Sequence, residues 1–483
     1  MSVFYATLVG LVVGAGISGI GAGYHLQTKC PKKSYAILEG RDTIGGTWDL
    51  FRYPGIRSDS DMYTLGFSFY PWKEKEAIAN GPAILKYLHE TSEKFNIKEK
   101  IKFGHYVESA SWSSENSQWE LEVKTKGKSQ QMTCNFIFMC SGYYSYKEGY
   151  TPDFAGIADF NGQVIHPQKW TEDLDYNNKN VIVIGSGATA VTIVPEMAKK
   201  SKHVTMLQRS PTYVVSAPEK DPVAKILQRF LPNKAAYFFV RWKNILRQHW
   251  FFTLCKRNPK RVKDFILGQI RKELGPSYDI KKHFTPNYNP WDQRMCLVPN
   301  GDLFESIKNK KASVVTDEID HFTNRGIKLK SGDEIEADLV VTATGLNMEL
   351  LSNIELTVDK EKIDLSKTIT YKGMMFSGVP NLVSTFGYTN ASWTLGADLT
   401  SEYVCRLINL MEKKSLKKCC PEANDSIEKD ENWLNLSSGY IERSKNIFPM
   451  QGKKKPWKNN QNFIKDVFQI RYGEIKDGDM KFS

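Results

Sequence analysis

The sequence predicts an α/β fold in which one parallel-sheet domain is nested inside another. Glycine-rich turns at residues 14–19 and 185–190 each follow an apolar, strand-like run and precede a helix-like stretch. A further apolar run follows each helix, which is the order found in parallel-sheet nucleotide sites. Two Rossmann-like dinucleotide-binding domains are therefore expected, together with a helical insertion at 216–290, where aromatic and basic residues are dense.

The first turn is a GxGxxG pattern with Gly14, Gly16 and Gly19 at its glycine positions. An acidic residue, Glu39, closes the next apolar run, 25 positions after Gly14. A carboxylate at this place hydrogen-bonds a ribose diol. The first turn therefore predicts a site for an adenosine that carries no 2′-phosphate.

The second turn carries Ala190 at the third glycine position, and a basic residue, Arg209, closes the run that follows. A guanidinium 24 positions after Gly185 accepts a 2′-phosphate, so this site predicts NADPH. The residues of the turn expected to contact the cofactor are Gly185, Ser186, Gly187, Ala188 and Thr189.

A loop at residues 45–59 follows the first nucleotide unit and combines glycines, a tryptophan and carboxylates. Glycines permit close approach of the backbone to a flat ligand, so we interpret the loop as facing an isoalloxazine ring and not as a plain polar surface loop. The residues expected to contact the cofactor are Gly46, Thr47, Trp48 and Asp59.

Between the two turns, residues 160–170 match the string FxGxxxHxxxW, with members Phe160, Gly162, His166 and Trp170. A lone histidine here would be interpreted as a satisfied linker residue, but the whole string is specific. With GxWxxxxYPGxxxD at residues 46–59, it resembles the motif pair of class B flavoprotein monooxygenases, specifically type I Baeyer–Villiger monooxygenases. Stretches such as NPWDQRMCLVPNGDLF are similar to the bacterial ethionamide-activating branch.

This resemblance implies that FAD occupies the first site and NADPH the second. Arg294 aligns with the family's active-site arginine, and Asp59 would orient it. The family reduces FAD with NADPH, adds O2 at C4a to form a peroxyflavin, and converts ketones to esters or lactones; sulfur oxidation of thioethers or thioamides is also expected. His166 and Trp170 would serve the interdomain linker. Gln293 departs from the lysine that several members place there.

The resemblance leaves rival functions open. A flavin monooxygenase that oxidises only sulfur or nitrogen would share most of these motifs. An NADPH oxidase or a disulfide reductase would share both nucleotide sites. The sequence has no CxxC pair, which argues against the disulfide reductase. A redox-sensing protein that binds flavin without turnover is the third rival.

Composition narrows the classes of partner. The formal net charge is +12, but the densest basic run is GKKKP at 452–456, so we expect no nucleic-acid partner and assign the charge to phosphate-bearing cofactors and solvent. Eight cysteines show neither metal-ligand spacing nor a disulfide framework, which predicts no metal site and a reducing compartment, here the bacterial cytoplasm. The oligomeric state is left open.

Two segments of the sequence bear on membrane contact. Residues 1–28 lack charged side chains, but six glycines between 10 and 23 make a poor spanning helix, so no integral membrane span is expected. For the insertion we favour aromatics packed into a core of their own, with a substrate lid or a peripheral membrane surface as alternatives.

The expected domain segments follow from these positions. They are 1–145 (FAD-binding, first segment), 146–215 (NADP-binding, first segment, with the linker motif), 216–290 (helical insertion), 291–344 (NADP-binding, second segment) and 345–483 (FAD-binding, second segment, with the C-terminal tail).

Overall fold

The computed structural model describes residues 8–434 and 436–483. Its larger sheet has nine strands and joins a parallel part to an antiparallel part through one long strand, Lys128–Met139. The parallel strands run in the order Leu382–Ser384, Lys128–Met139, Leu8–Val13, Tyr35–Leu38 and Ile101–Lys102. An antiparallel meander continues from the first half of the long strand through Gln118–Thr125 and His105–Ser113. Glu355–Val358 then pairs parallel with His105–Ser113, and Glu361–Lys362 pairs antiparallel with Glu355–Val358.

The second sheet has five parallel strands, and these lie in the sequence between two strands of the first sheet. Their spatial order is Ala312–Thr316, His203–Gln208, Asn180–Ile184, Leu339–Thr342 and Gln163–Ile165. The chain leaves the first sheet after Met139 and returns to it at Glu355, so the second domain is nested in the first. The predicted fold class is therefore confirmed, while the numerical domain bounds stay a prediction.

Each sheet carries helices whose buried faces supply the cores. The helices around the first sheet are Ile17–Lys29, Gly81–Lys94 and Trp393–Lys413; those of the second are Ala188–Met197 and Asp302–Lys308. Shorter helices are Thr47–Leu50, Met62–Leu65, Gly439–Arg443 and Phe463–Asp466. The last of these continues as a π-helix at Val467–Tyr472. Small hairpins and ladders add Ile319–Phe322, Gly326–Leu329, Glu334–Glu336, Thr370–Tyr371, Met375–Phe376, Cys419–Pro421, Lys429–Asp430, Gln451–Gly452 and Met480–Phe482.

The helix after the first turn explains glycines that have no role in the turn itself. A Cβ at Gly23 would lie 3.0 Å from the Ile97 Cγ2 atom and 3.2 Å from the Ile37 Cδ1 atom. A Cβ at Gly21 would lie 3.1 Å from the ring of Phe67. These glycines let the helix pack closely on the sheet and its neighbours, and that packing outweighs their low helix propensity.

Two short strands carry the chain between the domains. Tyr144–Gly149 leads out of the first domain and Leu346–Met348 leads back, and the two pair antiparallel. The connections therefore lie side by side next to the carboxyl ends of both sheets, where a ligand that touches both domains would sit.

The insertion is helical, as predicted. Its helices are Pro222–Phe230, Asn233–Arg257, Pro259–Leu274 and Ile280–His283, and they lie between the parallel-paired strands Val214–Ala217 and Cys296–Pro299.

The expectation that the aromatics of the insertion form their own core is wrong. Tyr237 and Val240 pack into the core of the first domain, whereas Cys255 and Val262 pack into that of the second. The insertion lacks a second apolar layer of its own, so its helices bury their inner faces against the two sheet domains instead.

In the part of the chain that the structure describes, no helix has the length and apolar character needed to cross a membrane. Of the segment 1–28 weighed above, residues 1–7 lie outside the described residues.

Candidate active site

A large cavity of about 1270 Å³ opens where the carboxyl ends of the two parallel sheets face each other. Both glycine-rich turns, the 45–59 loop and both interdomain connections line it. Of the residues predicted to bind cofactor or to catalyse, the lining includes Gly14, Gly16, Glu39, Gly46, Thr47, Trp48, Asp59, Gly185, Ser186, Gly187, Ala188, Thr189, Arg209 and Arg294. Sequence motifs far apart in the chain thus meet in one space.

In the first turn, glycine is required by close approach of the backbone. Gly14 has φ of 102°, and a Cβ there would lie 2.7 Å from the carbonyl oxygen of Cys140. Gly19 does not line the cavity; it packs against the turn, where an added Cβ would lie only 1.8 Å from the carbonyl oxygen of Gly14. Gly16 precedes the helix, and no side chain among the described residues caps the first N–H groups there. Those N–H groups can receive an anion.

Glu39 lies directly behind this turn and is buried. Its Oε2 accepts a hydrogen bond from the backbone N–H of Ala15 at 2.7 Å, and its Oε1 accepts one from the N–H of Arg41 at 3.0 Å. Burial raises the pKa of the carboxyl group, although both hydrogen bonds oppose that shift. Glu39 therefore fixes the turn against the strand end while it borders the cavity.

The 45–59 loop crosses the mouth of the first turn. Gly46 has φ of 56°, and a Cβ there would lie 3.1 Å from the Cα atom of Gly16. Thr47 and Trp48 then begin a short helix, with Trp48 half-buried at the wall. Close contact between the loop and the turn leaves a slot whose walls are backbone, as a flat ligand requires.

The second turn repeats the geometry of the first. Gly185 has φ of 134°, and a Cβ there would lie 2.4 Å from the carbonyl oxygen of Ala343. Gly187 precedes the helix Ala188–Met197, and no side chain among the described residues caps its first N–H groups. Ser186 Oγ donates to the carbonyl oxygen of Ser210 at 3.0 Å and ties the turn to the residue after Arg209.

Arg209 is exposed at the rim of the cavity, just past the end of its strand. Within the described chain, no carboxylate oxygen lies within 4.0 Å of its guanidinium. Gln293, the departure from the family pattern, lines the same cavity. The cationic group at this rim is thus available to an anion from outside the protein.

Arg294 lines the cavity that both turns border. Its Nη1 donates to Asp59 Oδ2 at 3.2 Å and its Nη2 donates to Tyr143 Oη at 3.4 Å, while the buried Nε has no partner among the described residues. The oxygens of Tyr440, Tyr143 and Tyr144, together with Asp59, raise the pKa of Arg294 well above its ordinary value. The guanidinium therefore keeps its charge at the cavity wall.

Sequence reasoning did not find the tyrosines around Arg294. Tyr143 and Tyr144 follow the end of the long strand, and their hydroxyl oxygens lie 3.0 Å apart. Tyr440 comes from a short helix in the C-terminal tail. Burial raises the pKa of Tyr144 and of Tyr440, so both remain neutral hydroxyls. The position after a parallel strand could have suggested the first pair; nothing in the local sequence indicates Tyr440.

The 160–170 string lies outside the cavity wall. His166 Nε2 donates to the carbonyl oxygen of Gly345 at 3.0 Å, and its Nδ1 accepts from the N–H of Gln168 at 3.1 Å. Burial lowers the pKa of His166, which preserves the neutral ring that this pair of bonds requires. A Cβ at Gly149 would lie 1.9 Å from the ring, so the histidine holds both connections between the domains.

The other members of the string also make structural contacts. Phe160 is buried against Phe322. A Cβ added at Gly162 would lie 2.6 Å from the carbonyl oxygen of Asp338, so glycine permits this close packing. Trp170 packs edge-on against Tyr176, with ring centroids 6.2 Å apart. The string therefore shapes the nested domain next to the cavity.

Relatives of known name match nearly the whole chain. The sequence is 52% identical over 474 residues to the FAD-containing monooxygenase EthA of Mycobacterium tuberculosis, a match that covers 98% of this chain and 97% of that protein. It is 47% identical over 475 residues to the probable FAD-binding monooxygenase AlmA of Acinetobacter baylyi, which covers 98% and 95%.

Solved structures share the fold at low sequence identity. An oxidised steroid monooxygenase bound to NADP superposes with a TM-score of 0.80 at 20% identity, covering 99% of each chain. The monooxygenase OTEMO in complex with FAD and NADP gives a TM-score of 0.77 at 20% identity, again covering 99% of each chain.

A family profile decides the assignment. The profile described as flavin-binding monooxygenase-like matches residues 11–452, which span both nucleotide domains and the insertion. Together with the relatives, this match confirms the resemblance drawn from the motifs. The chain belongs to the flavin-binding monooxygenase-like family.

Proposed function

We propose that this protein is an FAD-containing, NADPH- and O2-dependent monooxygenase that converts ketones to esters or lactones. The reaction balances as ketone, O2, NADPH and a proton giving ester, NADP⁺ and water. One oxygen atom enters the carbon skeleton and the other leaves in water. Oxidation of sulfur in thioethers or thioamides is proposed for the same site, because it needs the same oxygen donor.

The observation that carries this proposal is Arg294 in the wall of the cavity that both nucleotide turns border. A permanent positive charge at this wall stabilises negative charge that develops on oxygen. Oxygen insertion into a ketone develops such charge on the carbonyl oxygen. Asp59, at 3.2 Å, holds the guanidinium in place.

The residues present fit both cofactors. The uncapped helix start after Gly16 and the buried Glu39 suit the diphosphate and ribose of FAD, which supplies two-electron redox chemistry and reactivity toward O2 when bound. The uncapped helix start after Gly187 suits the diphosphate of NADPH. Arg209, exposed and without a carboxylate partner among described residues, would accept the 2′-phosphate.

The proposed linker role of His166 rests on its two hydrogen bonds. The imidazole holds Gly345, next to the returning connection, by a hydrogen bond and packs against Gly149 of the outgoing connection, so it ties both to the nested domain. That arrangement would transmit movement of the nested domain to the cavity wall without contact between His166 and the substrate.

The test is product analysis with isotopically labelled oxygen gas. Purified holoenzyme is incubated with NADPH and a panel of linear and cyclic ketones and a thioether. We expect ester or lactone that carries one labelled atom. Labelled sulfoxide without any ester would assign the protein to the heteroatom-only class, and NADPH consumption with only hydrogen peroxide as product would assign it to the oxidases; either result overturns the proposal for ketones.

Removing the charge at Arg209 gives a separate test of the NADPH site. Arg209→Ala should raise the KM for NADPH by about tenfold to a hundredfold, since a charge-assisted contact to phosphate is lost. The KM for NADH should stay unchanged, because NADH has no 2′-phosphate. Steady-state kinetics with both nucleotides measure the difference.

Arg325→Ala is the matched control, because Arg325 is an exposed arginine of the nested domain that pairs with Glu336 at 3.0 Å. It should change neither constant. An Arg209→Ala variant with an unaltered NADPH constant would move the 2′-phosphate contact to another residue.

A further inference from the structure

Exposed apolar side chains concentrate on two helices of the insertion. Of the eleven large hydrophobic side chains exposed in the described chain, seven lie on Pro222–Phe230 and Asn233–Arg257. We call these seven the insertion face; they are Val223, Ile226, Phe230, Phe238, Phe239, Leu246 and Trp250. Phe230 and Trp250 are 74% and 63% exposed, which is unusual for large aromatic residues and points to a partner.

The insertion face follows from how its helices are held. On the first helix, Val223, Ile226 and Phe230 recur at helical spacing on one side, while Ala224 is buried on the other. On the second helix, the outward residues Phe238 and Phe239 stack edge to face, with centroids 5.6 Å apart. The face is therefore a continuous apolar surface on each helix.

The opposite side of the second helix is fixed by buried polar contacts. Arg241 donates to the carbonyl oxygens of Tyr63 and Gly66 at 2.8 and 2.7 Å. Asn244 donates to Asp61 at 2.9 Å. Rotating the helix to bury the insertion face would break these bonds inside the protein, so the apolar side faces outward in the folded chain.

The charge around the insertion face is strongly positive. Residues 222–274 contain thirteen Lys and Arg residues but two acidic residues, and so hold most of the net charge of +12. Lys225, Arg229, Lys234 and Arg247 are exposed beside the apolar side chains. In the described part of the chain, no carboxylate oxygen lies within 4.0 Å of any of these four. A partner for this surface must offer an apolar region to the exposed aromatic side chains and negative charges to the Lys and Arg residues beside them.

A second copy of the chain does not meet this requirement. In a two-fold dimer, the same surface faces itself, so the basic residues of one protomer would oppose those of the other. An anionic phospholipid bilayer meets it, because aromatic residues enter the boundary between headgroups and acyl chains while Lys and Arg pair with lipid phosphates.

We propose that the insertion face docks the protein on the surface of an anionic phospholipid bilayer. The two helices lie in the plane of the headgroups, with Phe230 and Trp250 in the outer acyl region and Arg229 and Arg247 at the phosphates. The helix Asn233–Arg257 also contributes Gln248 to the wall of the large cavity, so docking would bring that cavity next to the membrane.

The test is flotation of the full-length holoenzyme with vesicles. One set contains phosphatidylcholine alone, and the other contains phosphatidylcholine mixed with phosphatidylglycerol. Binding is expected only to the mixed vesicles, and added salt should weaken it. Arg229→Glu combined with Arg247→Glu should lower the apparent lipid affinity by more than about a hundredfold, at roughly fivefold for each unit of charge. Phe230→Ser combined with Trp250→Ser should abolish binding.

Lys128→Glu combined with Lys202→Glu makes the same charge change at exposed lysines outside the insertion and should bind like the unaltered protein. All variants change exposed residues, so FAD content and turnover of water-soluble substrate should be normal, which separates this test from that of the proposed function. Failure to bind mixed vesicles, equal binding by the insertion-face variants, or a dimer that Trp250→Ser dissociates would each overturn the proposal.

Discussion

Replacing Arg294 with alanine should abolish ester formation while leaving the reduction of bound FAD by NADPH largely intact. Only the oxygen-insertion half of the proposed reaction places negative charge beside the guanidinium, which lies at 3.2 Å from Asp59. Loss of one donor that stabilises such charge lowers turnover by about a hundredfold to a thousandfold. Two measurements separate the halves: anaerobic bleaching of the flavin by NADPH, and ester production in air.

Arg294→Lys is the informative companion. Lysine retains the charge but cannot hold Asp59 and Tyr143 through two nitrogens of one planar group. We therefore expect partial recovery of ester formation. In the alanine variant, NADPH oxidation without ester should release hydrogen peroxide instead. A near-normal rate of ester formation by Arg294→Ala would remove the arginine from the proposed chemistry.

Asp59 is expected to matter less for turnover than Arg294. Its side chain is 58% exposed, so water screens its interaction with the guanidinium, and the pair contributes little to stability. Its proposed role is to orient the guanidinium: Asp59 accepts a hydrogen bond from Nη1, and Tyr143 accepts one from Nη2. Each Nη atom carries a second N–H group, which these two hydrogen bonds do not use.

The nucleotide turns were predictable from sequence because their requirements are local. A strand, a tight turn and a helix must follow one another, and glycine is the residue whose backbone permits the turn. Glu39 and Arg209 were found in the same way, since each ends the strand next to its turn. Arg294 was found only through the family resemblance, because nothing in its immediate sequence separates it from other arginines on loops.

Features created by tertiary contact were not predictable. Tyr440 reaches Arg294 from the C-terminal tail, which the sequence marks only as polar and basic. The aromatics of the insertion were expected to pack together, yet Tyr237 joins the first core and Phe238 faces outward. Helical periodicity indicates that a helix has an apolar face, but it does not indicate whether another part of the fold buries that face.

The strongest test of the two-site arrangement is a matched pair of glycine substitutions. Gly14→Ala should yield protein that retains little FAD, because a Cβ there would lie 2.7 Å from the carbonyl oxygen of Cys140 at a φ of 102°. Gly185→Ala makes the same change in the nested domain, where the Cβ would lie 2.4 Å from the carbonyl oxygen of Ala343. This variant should keep its FAD but show a raised KM for NADPH.

Each substitution carries about 1–3 kcal/mol of backbone strain in addition to the contact, which the turn can relieve only by moving away from its strand end. Because the strain is similar in both variants, general destabilisation would lower FAD content in both. Gly268→Ala, at an exposed position of the helix Pro259–Leu274 where the new Cβ would meet no neighbouring element, should change neither property. Flavin absorbance per protein and NADPH kinetics measure the outcomes. If Gly14→Ala retained full FAD, or if Gly185→Ala lost FAD as completely as Gly14→Ala, the assignment of one cofactor to each turn would fail.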